Sequence, residues 1–199
     1  MSEGKVAPAI YVYINGRRVS HYNMPHMDSM GEDVFVGELI PHIDATYRTI
    51  AERRGRAIEG FSQGGRGTTR IMFKYPELFV SAVPGGPGYA TEKRVSRSRG
   101  VEISTDGKTR VDFAPGADTF TRARQYAANQ LPRLNIMVWV GTKGFNFEAT
   151  LEYLGFLYGL GINAERLIVP DVPHSAVQCY EKRGVELMQF HARNFAAGS

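Results

Sequence analysis

The sequence predicts an α/β fold built on a mostly parallel, doubly wound sheet. Short apolar runs rich in β-branched residues alternate with amphipathic helical patterns along the 199 residues. One such run, residues 56–61, leads directly into a glycine-rich turn and a helical pattern. The most apolar run, residues 135–141, has the length of a buried strand. We find no repeat, and we expect residues 1–199 to form one domain that buries a substantial core.

The first fifty residues predict one strand and one helix. Residues 9–14 are rich in β-formers and end at the turn signal Asn15-Gly16. Residues 17–28 read as a loop. Apolar residues at spacings of three and four then predict an amphipathic helix, carried by Val36, Leu39, Ile40, Ile43, Tyr47 and Ile50. Pro41 should kink or restart this helix.

The rest of the chain continues the alternation of strands and helices. We expect strands over residues 56–61, 79–83, 135–141 and 166–169, and helices over residues 65–75, 149–161 and 180–195. Residues 89–132 read as an insertion. It contains a hairpin, residues 101–104 and 110–113 around Asp106-Gly107, and a helix over residues 118–129 with Asp118 or Thr119 as its cap.

Composition and charge exclude several classes of partner. The net charge is only +4, and the basic runs at residues 53–56 and 93–99 carry no interleaved aromatics, so we expect no nucleic-acid binding. The apolar run at 9–14 is too short to span a bilayer, so we expect no membrane partner. Cys179 is the single cysteine and can form no intrachain disulfide, which leaves both a cytoplasmic and a secreted location open. We predict no cofactor and no metal site.

Residues 60–64 read G-F-S-Q-G between the predicted strand and helix, the arrangement of a nucleophile elbow. The turn forces Ser62 into strained backbone angles and exposes its hydroxyl above the sheet. Side chains at Gly60 and Gly64 are expected to collide with the strand or the helix. The helix N-terminus behind the serine favours developing negative charge. The sequence therefore predicts a nucleophilic serine.

A serine hydroxyl needs a base, and the chain offers five histidines. After a nucleophile elbow the base follows the last strand, and only His174 lies in that loop. His42 falls in the amphipathic helix and His191 in the final helix, where a packing role is the default. We therefore predict His174 as the base.

Several motifs together resemble the feruloyl esterase and esterase-D group of α/β-hydrolases. They are E-L-I-P-H-I-D at residues 38–44, the elbow at 57–65, P-E-L-F at 76–79, V-G-T-K at 140–143, and His174. The resemblance covers nearly the whole chain except the insertion. It implies an α/β-hydrolase-like fold, Ser62 as nucleophile, His174 as base, and the backbone N–H of Gln63 as one oxyanion donor.

The chain departs from this group at the acid that orients the histidine. In the group an Asp follows the G-T-K motif, whereas here Gly144 occupies that place. Loss of this acid can lower the rate by about four powers of ten. The first candidate to replace this acid is Glu148, one helical turn further on, and the other candidates are Asp171 and Glu92. The absence of any acid also stays open.

A second departure concerns the first strands, because the strand whose loop gives the second oxyanion donor in the group has no counterpart. We expect a minimal version of the fold in which strand 9–14 pairs directly, in parallel, with the elbow strand. Gly16 would then lie near Ser62 and could donate to the oxyanion. The missing strand leaves a slot beside the elbow strand, and the alternative is a homodimer in which a second copy of the chain fills this slot. A slot filled by the insertion hairpin would contradict both expectations.

The combined prediction is a serine carboxylic-ester hydrolase that works through an acyl-enzyme. The expected substrates, small molecules or polymers, are feruloyl, acetyl or other aromatic esters, with aromatic polyesters as a class that an open site would admit. The expected wall residues are Tyr22, Met24, Met27, Phe145 and Phe147. Two alternatives stay open: a catalytically impaired hydrolase fold kept as a binding module, and an acyltransferase.

Overall fold

The computed structural model describes residues 4–6, 8–14, 21–24, 28–103, 107–108, 110–129 and 132–197. The first elements are β1 (Asn23–Met24), β2 (Ser29–Met30), α1 (Gly31–Asp33), a π-helical segment Val34–Leu39, α2 (Ile40–Thr46), a 3-10 turn Arg53–Gly55, β3 (Ala57–Phe61), α3 (Gln63–Lys74) and β4 (Ser81–Gly85). They are followed by α4 (Tyr89–Arg97), β5 (Val101–Ile103), β6 (Arg110–Asp112), α5 (Thr119–Ala128), β7 (Asn135–Gly141), α6 (Phe147–Gly159), β8 (Glu165–Val169) and α7 (Ala176–Ala197).

The main sheet has four strands in the order β3-β4-β7-β8, and every neighbouring pair is parallel. The carboxyl ends of the strands therefore meet at one edge of the sheet. Phe61 pairs with Gly85, and Gly85 pairs with Trp139. A Cβ at Gly85 would lie 2.2 Å from the Trp139 indole, so only glycine fits there. The loops after β3, β7 and β8 open at this edge, where ligands bind in open α/β sheets.

The sheet is covered on both faces, as the doubly wound prediction requires. Along β7, Ile136 and Val138 belong to one buried cluster, whereas Met137 and Trp139 belong to another. This alternation places successive side chains on opposite faces. Helices α3, α5 and α6 pack in the first cluster, and α7 packs in the second. The predicted α/β fold class is confirmed.

Helix α7 is fixed to the sheet by a chain of polar groups. The Oγ atom of Ser81, which is fully buried in β4, lies 2.7 Å from His191 Nδ1. The other ring nitrogen of His191 lies 3.2 Å from a carboxylate oxygen of Glu59 in β3. The Tyr180 hydroxyl donates to the second oxygen of Glu59 at 2.7 Å. This chain joins β4, α7 and β3 below the strand ends.

The insertion is attached to α3 by buried ion pairs. Glu92 of α4 is fully buried and accepts hydrogen bonds from Arg66 and Arg70, each with a shortest contact of 2.7 Å. Burial raises the pKa of Glu92, but Arg70 and Arg66 outweigh it and hold the pKa below its usual range. Helix α4 was not predicted because its inward face places Glu92 between Tyr89 and Val95, which breaks the apolar pattern.

The hairpin of the insertion is confirmed as the antiparallel pair β5-β6. The helix predicted over residues 118–129 is also present as α5. Its cap is Asp118, whose side chain accepts from the Thr121 N–H at 2.8 Å. The hairpin lies beside α3, since Glu102 pairs with Arg66. It therefore does not occupy the slot beside β3.

The predicted strand 9–14 is wrong, because these residues form no strand and do not pair with β3. Among the described residues β3 pairs only with β4. Residues 9–14 instead line a groove of about 1500 Å³ that β3 borders as well. The Tyr11 hydroxyl contacts Met188 Sδ at 3.2 Å, which holds the segment against α7. Asn15 and Gly16 lie outside the described residues, so the expected role of Gly16 as an oxyanion donor stays a prediction.

The remaining boundaries differ from the predictions by a few residues. The amphipathic helix begins at Gly31 as α1 and continues as the π-helical segment Val34–Leu39. It resumes as α2 with Pro41 in its first turn and ends at Thr46 rather than Ile50. Strand β4 begins two residues later than predicted, and α6 begins two residues earlier. Among the described helices, none combines the length and the hydrophobicity that a membrane span requires.

Candidate active site

Ser62 lies at the junction of β3 and α3 with φ 57° and ψ −111°. A positive φ is uncommon for a residue with a side chain, and such strain persists only where the surroundings hold it. Here the Ser62 N–H donates to the Gly85 carbonyl at 2.8 Å, and the Ser62 carbonyl accepts from the Arg66 N–H at 3.1 Å. The half-buried hydroxyl is therefore held at the carboxyl edge of the sheet.

The glycines of the elbow are not equivalent. A Cβ at Gly60 would lie 2.5 Å from the Gly64 carbonyl oxygen, as predicted. A Cβ at Gly64 meets nothing within 4 Å, so the expected collision at Gly64 is wrong. The close contact is instead at Gly65, where a Cβ would lie 2.7 Å from the Gly85 carbonyl oxygen. Gly65 brings α3 close to the end of β4.

His174, in the loop between β8 and α7, places its Nε2 atom 2.8 Å from Ser62 Oγ. The imidazole lies against two aromatic rings, with centroid distances of 4.5 Å to Phe61 and 4.4 Å to Phe145. Burial lowers the pKa of His174 below its usual value because the charged ring loses water. The ring is therefore neutral at pH 7 and can accept the serine proton.

The second ring nitrogen of His174 faces an amide, not a carboxylate. Its Nδ1 atom lies 3.3 Å from Asn146 Oδ1. The Asn146 side chain is buried at the N-terminus of α6, and its Nδ2 atom donates to the Pro87 carbonyl at 3.2 Å. Asn146 was not predicted from the sequence, because only acidic residues were expected as the third member. The available signal was a polar residue two positions after Gly144, in the same loop.

Gly144 and Asn146 occupy adjoining space. A Cβ at Gly144 would lie 2.8 Å from Asn146 Oδ1 and 3.2 Å from the Gly141 carbonyl oxygen. A side chain at position 144 would therefore displace the amide. The lack of a side chain at Gly144 leaves the space in which the Asn146 amide reaches His174.

The three predicted carboxylates do not contact His174, and these expectations are corrected. Glu148 is exposed in the first turn of α6, where the helix dipole favours a negative charge. Asp171 is exposed and pairs with Lys143 at 2.9 Å, and this lysine lowers the pKa of Asp171. Glu92 pairs with two arginines of α3. The Nδ1 partner among the described residues is Asn146.

The position of Gln63 suits the expected oxyanion donor. It is the first residue of α3, and the first N–H groups of a helix have no acceptor within the helix. Its N–H follows the nucleophile directly and lies at the positive end of the helix dipole. The role of Gln63 stays a prediction.

Of the expected wall residues that the structure describes, only Phe145 contacts the imidazole. Its side chain is 83% exposed and its ring packs against the imidazole. Phe147 is half-buried at the start of α6. Tyr22 and Met24 are buried in a cluster with Val95 and Phe113, so they cannot contact a substrate and the expectation is wrong. Met27 lies outside the described residues.

Within the part of the chain that the structure describes, no group of three or more acidic, histidine or cysteine side chains could hold a metal ion. The hydroxyl and imidazole of the site need no metal to exchange a proton.

Comparisons with known proteins give partial sequence similarity to esterases. No family model matches the chain. Over 79 residues it is 38% identical to a Mycobacterium tuberculosis protein named as an esterase, a stretch covering 38% of this chain and 17% of that protein. Over 86 residues it is 35% identical to an endo-1,4-beta-xylanase/feruloyl esterase from Xylanibacter ruminicola, covering 40% of this chain and 11% of that protein. The chain thus matches less than a fifth of the length of these relatives.

Similar solved structures cover more of the chain. A ferulic acid esterase superimposes with a TM-score of 0.64 at 18% identity, over 82% of this chain and 61% of that one. An S-formylglutathione hydrolase from Staphylococcus aureus gives a TM-score of 0.62 at 17% identity, over 79% and 61%. At this identity the similarity establishes the fold alone, which is that of the α/β-hydrolases. The predicted resemblance to feruloyl esterases and esterase-D-like enzymes is confirmed for part of the chain in sequence and most of it in fold.

Proposed function

We propose that this chain, an α/β-hydrolase by fold, hydrolyses carboxylic esters through an acyl-enzyme formed on Ser62. The observation that carries the proposal is the 2.8 Å contact between Ser62 Oγ and His174 Nε2 at a strained strand-to-helix turn. The partial similarity to proteins named as esterases supports the reaction class.

In the first half-reaction, Ser62 Oγ attacks the ester carbonyl carbon while its proton passes to His174 Nε2. The carbonyl oxygen becomes an oxyanion, which accepts from the Gln63 N–H. The carbon–oxygen bond to the alcohol then breaks, and the imidazolium returns the proton to the departing alkoxide. In the second half-reaction, water gives its proton to His174 and attacks the acyl group, and Ser62 leaves with a proton.

For the substrate we propose feruloyl, acetyl or other aromatic esters, small or polymeric. One relative is named as a feruloyl esterase, and a similar structure is a ferulic acid esterase. The exposed ring of Phe145, 4.4 Å from the imidazole, offers an apolar face on which an aromatic acyl or alcohol group can pack. We propose aromatic polyesters as a further substrate class.

The strain at Ser62 favours an active enzyme over a binding module. A non-glycine residue in such backbone angles costs on the order of 1–3 kcal/mol, and strain of this kind is concentrated at functional sites. A fold kept only for binding would gain stability by relaxing this turn. The missing carboxylate favours the binding module, but His174 Nδ1 still faces a polar group, the amide oxygen of Asn146 at 3.3 Å.

The test uses purified wild-type protein, Ser62→Ala and, as a matched control, Ser81→Ala. With p-nitrophenyl acetate and methyl ferulate we expect hydrolysis by the wild type and by Ser81→Ala, and background rates for Ser62→Ala. A fluorophosphonate probe should label the wild type and Ser81→Ala, but not Ser62→Ala. An active Ser62→Ala variant would overturn the mechanism. A folded wild type that neither hydrolyses nor reacts with the probe would favour the binding module.

A further inference from the structure

We infer that Asn146 is a positioning residue that takes the place of the missing carboxylate: it fixes the tautomer of His174 and adds no charge. The inference rests on the proposed function for its kinetic consequences. It stands on the contacts of three groups, the Pro87 carbonyl, the Asn146 amide and the His174 ring.

The tautomer follows from donor and acceptor types, starting at Pro87. A carbonyl oxygen only accepts, so the atom of Asn146 that faces it at 3.2 Å is the NH₂ nitrogen. The other amide atom is then the oxygen, which also only accepts. His174 Nδ1, 3.3 Å from this oxygen, must carry the ring proton. Nε2 is left with a lone pair directed to the Ser62 hydroxyl, which is the tautomer that a general base requires.

An amide differs from a carboxylate in what it does for the charged ring. Both orient Nδ1–H, but only the carboxylate provides a full negative charge to stabilise the imidazolium. Among the described residues, the side chains in hydrogen-bond or ring contact with the imidazole are those of Ser62, Phe61, Phe145 and Asn146, none of which carries a charge. The nearby charged side chains of the flanking loops, Lys143 and Asp171, are exposed and pair with each other. No contacting carboxylate therefore offsets burial, which lowers the pKa of His174 below its usual value.

The space around Gly144 supports the same assignment. Because a Cβ there would lie 2.8 Å from Asn146 Oδ1, positions 144 and 146 cannot both direct a side chain at Nδ1. We therefore expect Gly144→Asp alone to lower activity by displacing the amide. Gly144→Asp combined with Asn146→Ala should recover activity relative to Asn146→Ala, since the space is then vacated.

The kinetic test compares the wild type with Asn146→Asp, Asn146→Ala and the matched control Asn163→Asp, which makes the same chemical change at an exposed loop residue. The acidic limb of the pH profile of kcat/KM should lie below pH 6.5 in the wild type and in Asn163→Asp. Asn146→Asp should move it upward by about 1–3 pH units, since an opposite charge favours the imidazolium. Asn146→Ala should lower kcat by about two to four powers of ten.

A second readout does not depend on activity. In ¹⁵N NMR of histidine-labelled protein, assigned with His174→Gln, the wild type should show Nδ1 protonated and Nε2 unprotonated at neutral pH. Asn146→Ala should show a mixture of tautomers. Because an aspartate cannot donate to Pro87, thermal unfolding checks that Asn146→Asp is folded; if it is not, the Asn146→Ala arm and the wild-type spectrum decide.

The outcomes separate the two proposals. A wild type without hydrolysis or probe labelling defeats the proposed function, while the NMR spectrum still tests the role of Asn146. An active wild type whose tautomer and pH profile are unchanged in both Asn146 variants defeats the role of Asn146 alone. A wild-type ring protonated at Nε2 defeats it in either case.

Discussion

The described part of the chain contains two serine–histidine hydrogen bonds of nearly equal length. Ser62 and His174 approach to 2.8 Å, and Ser81 and His191 approach to 2.7 Å. Only the second pair has a carboxylate behind its histidine, that of Glu59 at 3.2 Å. By residue types alone, Ser81, His191 and Glu59 are closer to a serine–histidine–acid triad than Ser62 and His174 with their amide partner.

The two serines differ in backbone and burial. Ser81 is the first residue of β4 and is fully buried, so a substrate cannot reach it. Ser62 is half-exposed at the end of a strand, with strained backbone angles and a helix N-terminus directly after it. The comparison teaches that a hydrogen-bonded serine, histidine and acid can serve as a structural support. Access and a place for the oxyanion mark the reactive serine.

The two serine–histidine pairs should differ most clearly when each histidine is replaced with glutamine, one at a time. His174→Gln should lower kcat for p-nitrophenyl acetate by three or more powers of ten, because the base is lost. His191→Gln should leave kcat within about twofold and lower the free energy of unfolding by about 1–3 kcal/mol, since it leaves buried polar groups unpaired. Steady-state kinetics and thermal unfolding of both variants check this. A His191→Gln enzyme that stays folded and is inactive would contradict the division of roles.

A second comparison separates glycines that look alike in the motif. Gly60→Ala should lower the free energy of unfolding by about 1–3 kcal/mol or more, because its Cβ meets the Gly64 carbonyl oxygen at 2.5 Å. Gly64→Ala should raise it by up to about 1 kcal/mol, since Gly64 lies in the first turn of α3 with free space around it. Denaturant unfolding measures both. Equal destabilisation by the two substitutions would contradict the difference in free space between Gly60 and Gly64.

The smallest expected effect concerns the carboxylates nearest the site along the sequence. Glu148→Gln and Asp171→Asn should each change kcat/KM by less than about twofold, because both side chains are exposed and neither contacts the imidazole. Their acidic limbs should coincide with that of the wild type. A tenfold loss in Glu148→Gln would return the orienting role to this residue.

Sequence alone was sufficient where a residue's role depends on local backbone. The elbow could be read because Gly60 is required by a contact four residues away, and His174 because its loop follows the last strand. Asn146 was missed because its role depends on how one loop directs an amide toward two partners from other loops. Tyr22 and Met24 were misassigned because apolar loop residues look the same in sequence whether they pack inward or line a cleft.

The N-terminal segment shows the limit of composition. Residues 9–14 have the composition of a strand, but strand formation needs a facing edge in register. Residues 9–14 do not pair with β3. The Tyr11 hydroxyl contacts Met188 of α7, and the Lys5 carbonyl accepts a hydrogen bond from Gln189 of the same helix. Those contacts are far apart in sequence and leave no trace in local pattern.

The arginines of α3 have a consequence for how this chain can be altered. Arg66 and Arg70 lie one and two turns behind the nucleophile, and both share the buried carboxylate of Glu92 in the insertion. Grafting a shorter loop in place of residues 89–132 would leave two desolvated guanidinium groups without their counterion, a loss on the order of 3–5 kcal/mol. The insertion is therefore not an exchangeable module. A library that varies its length should keep Glu92, or replace both arginines at the same time.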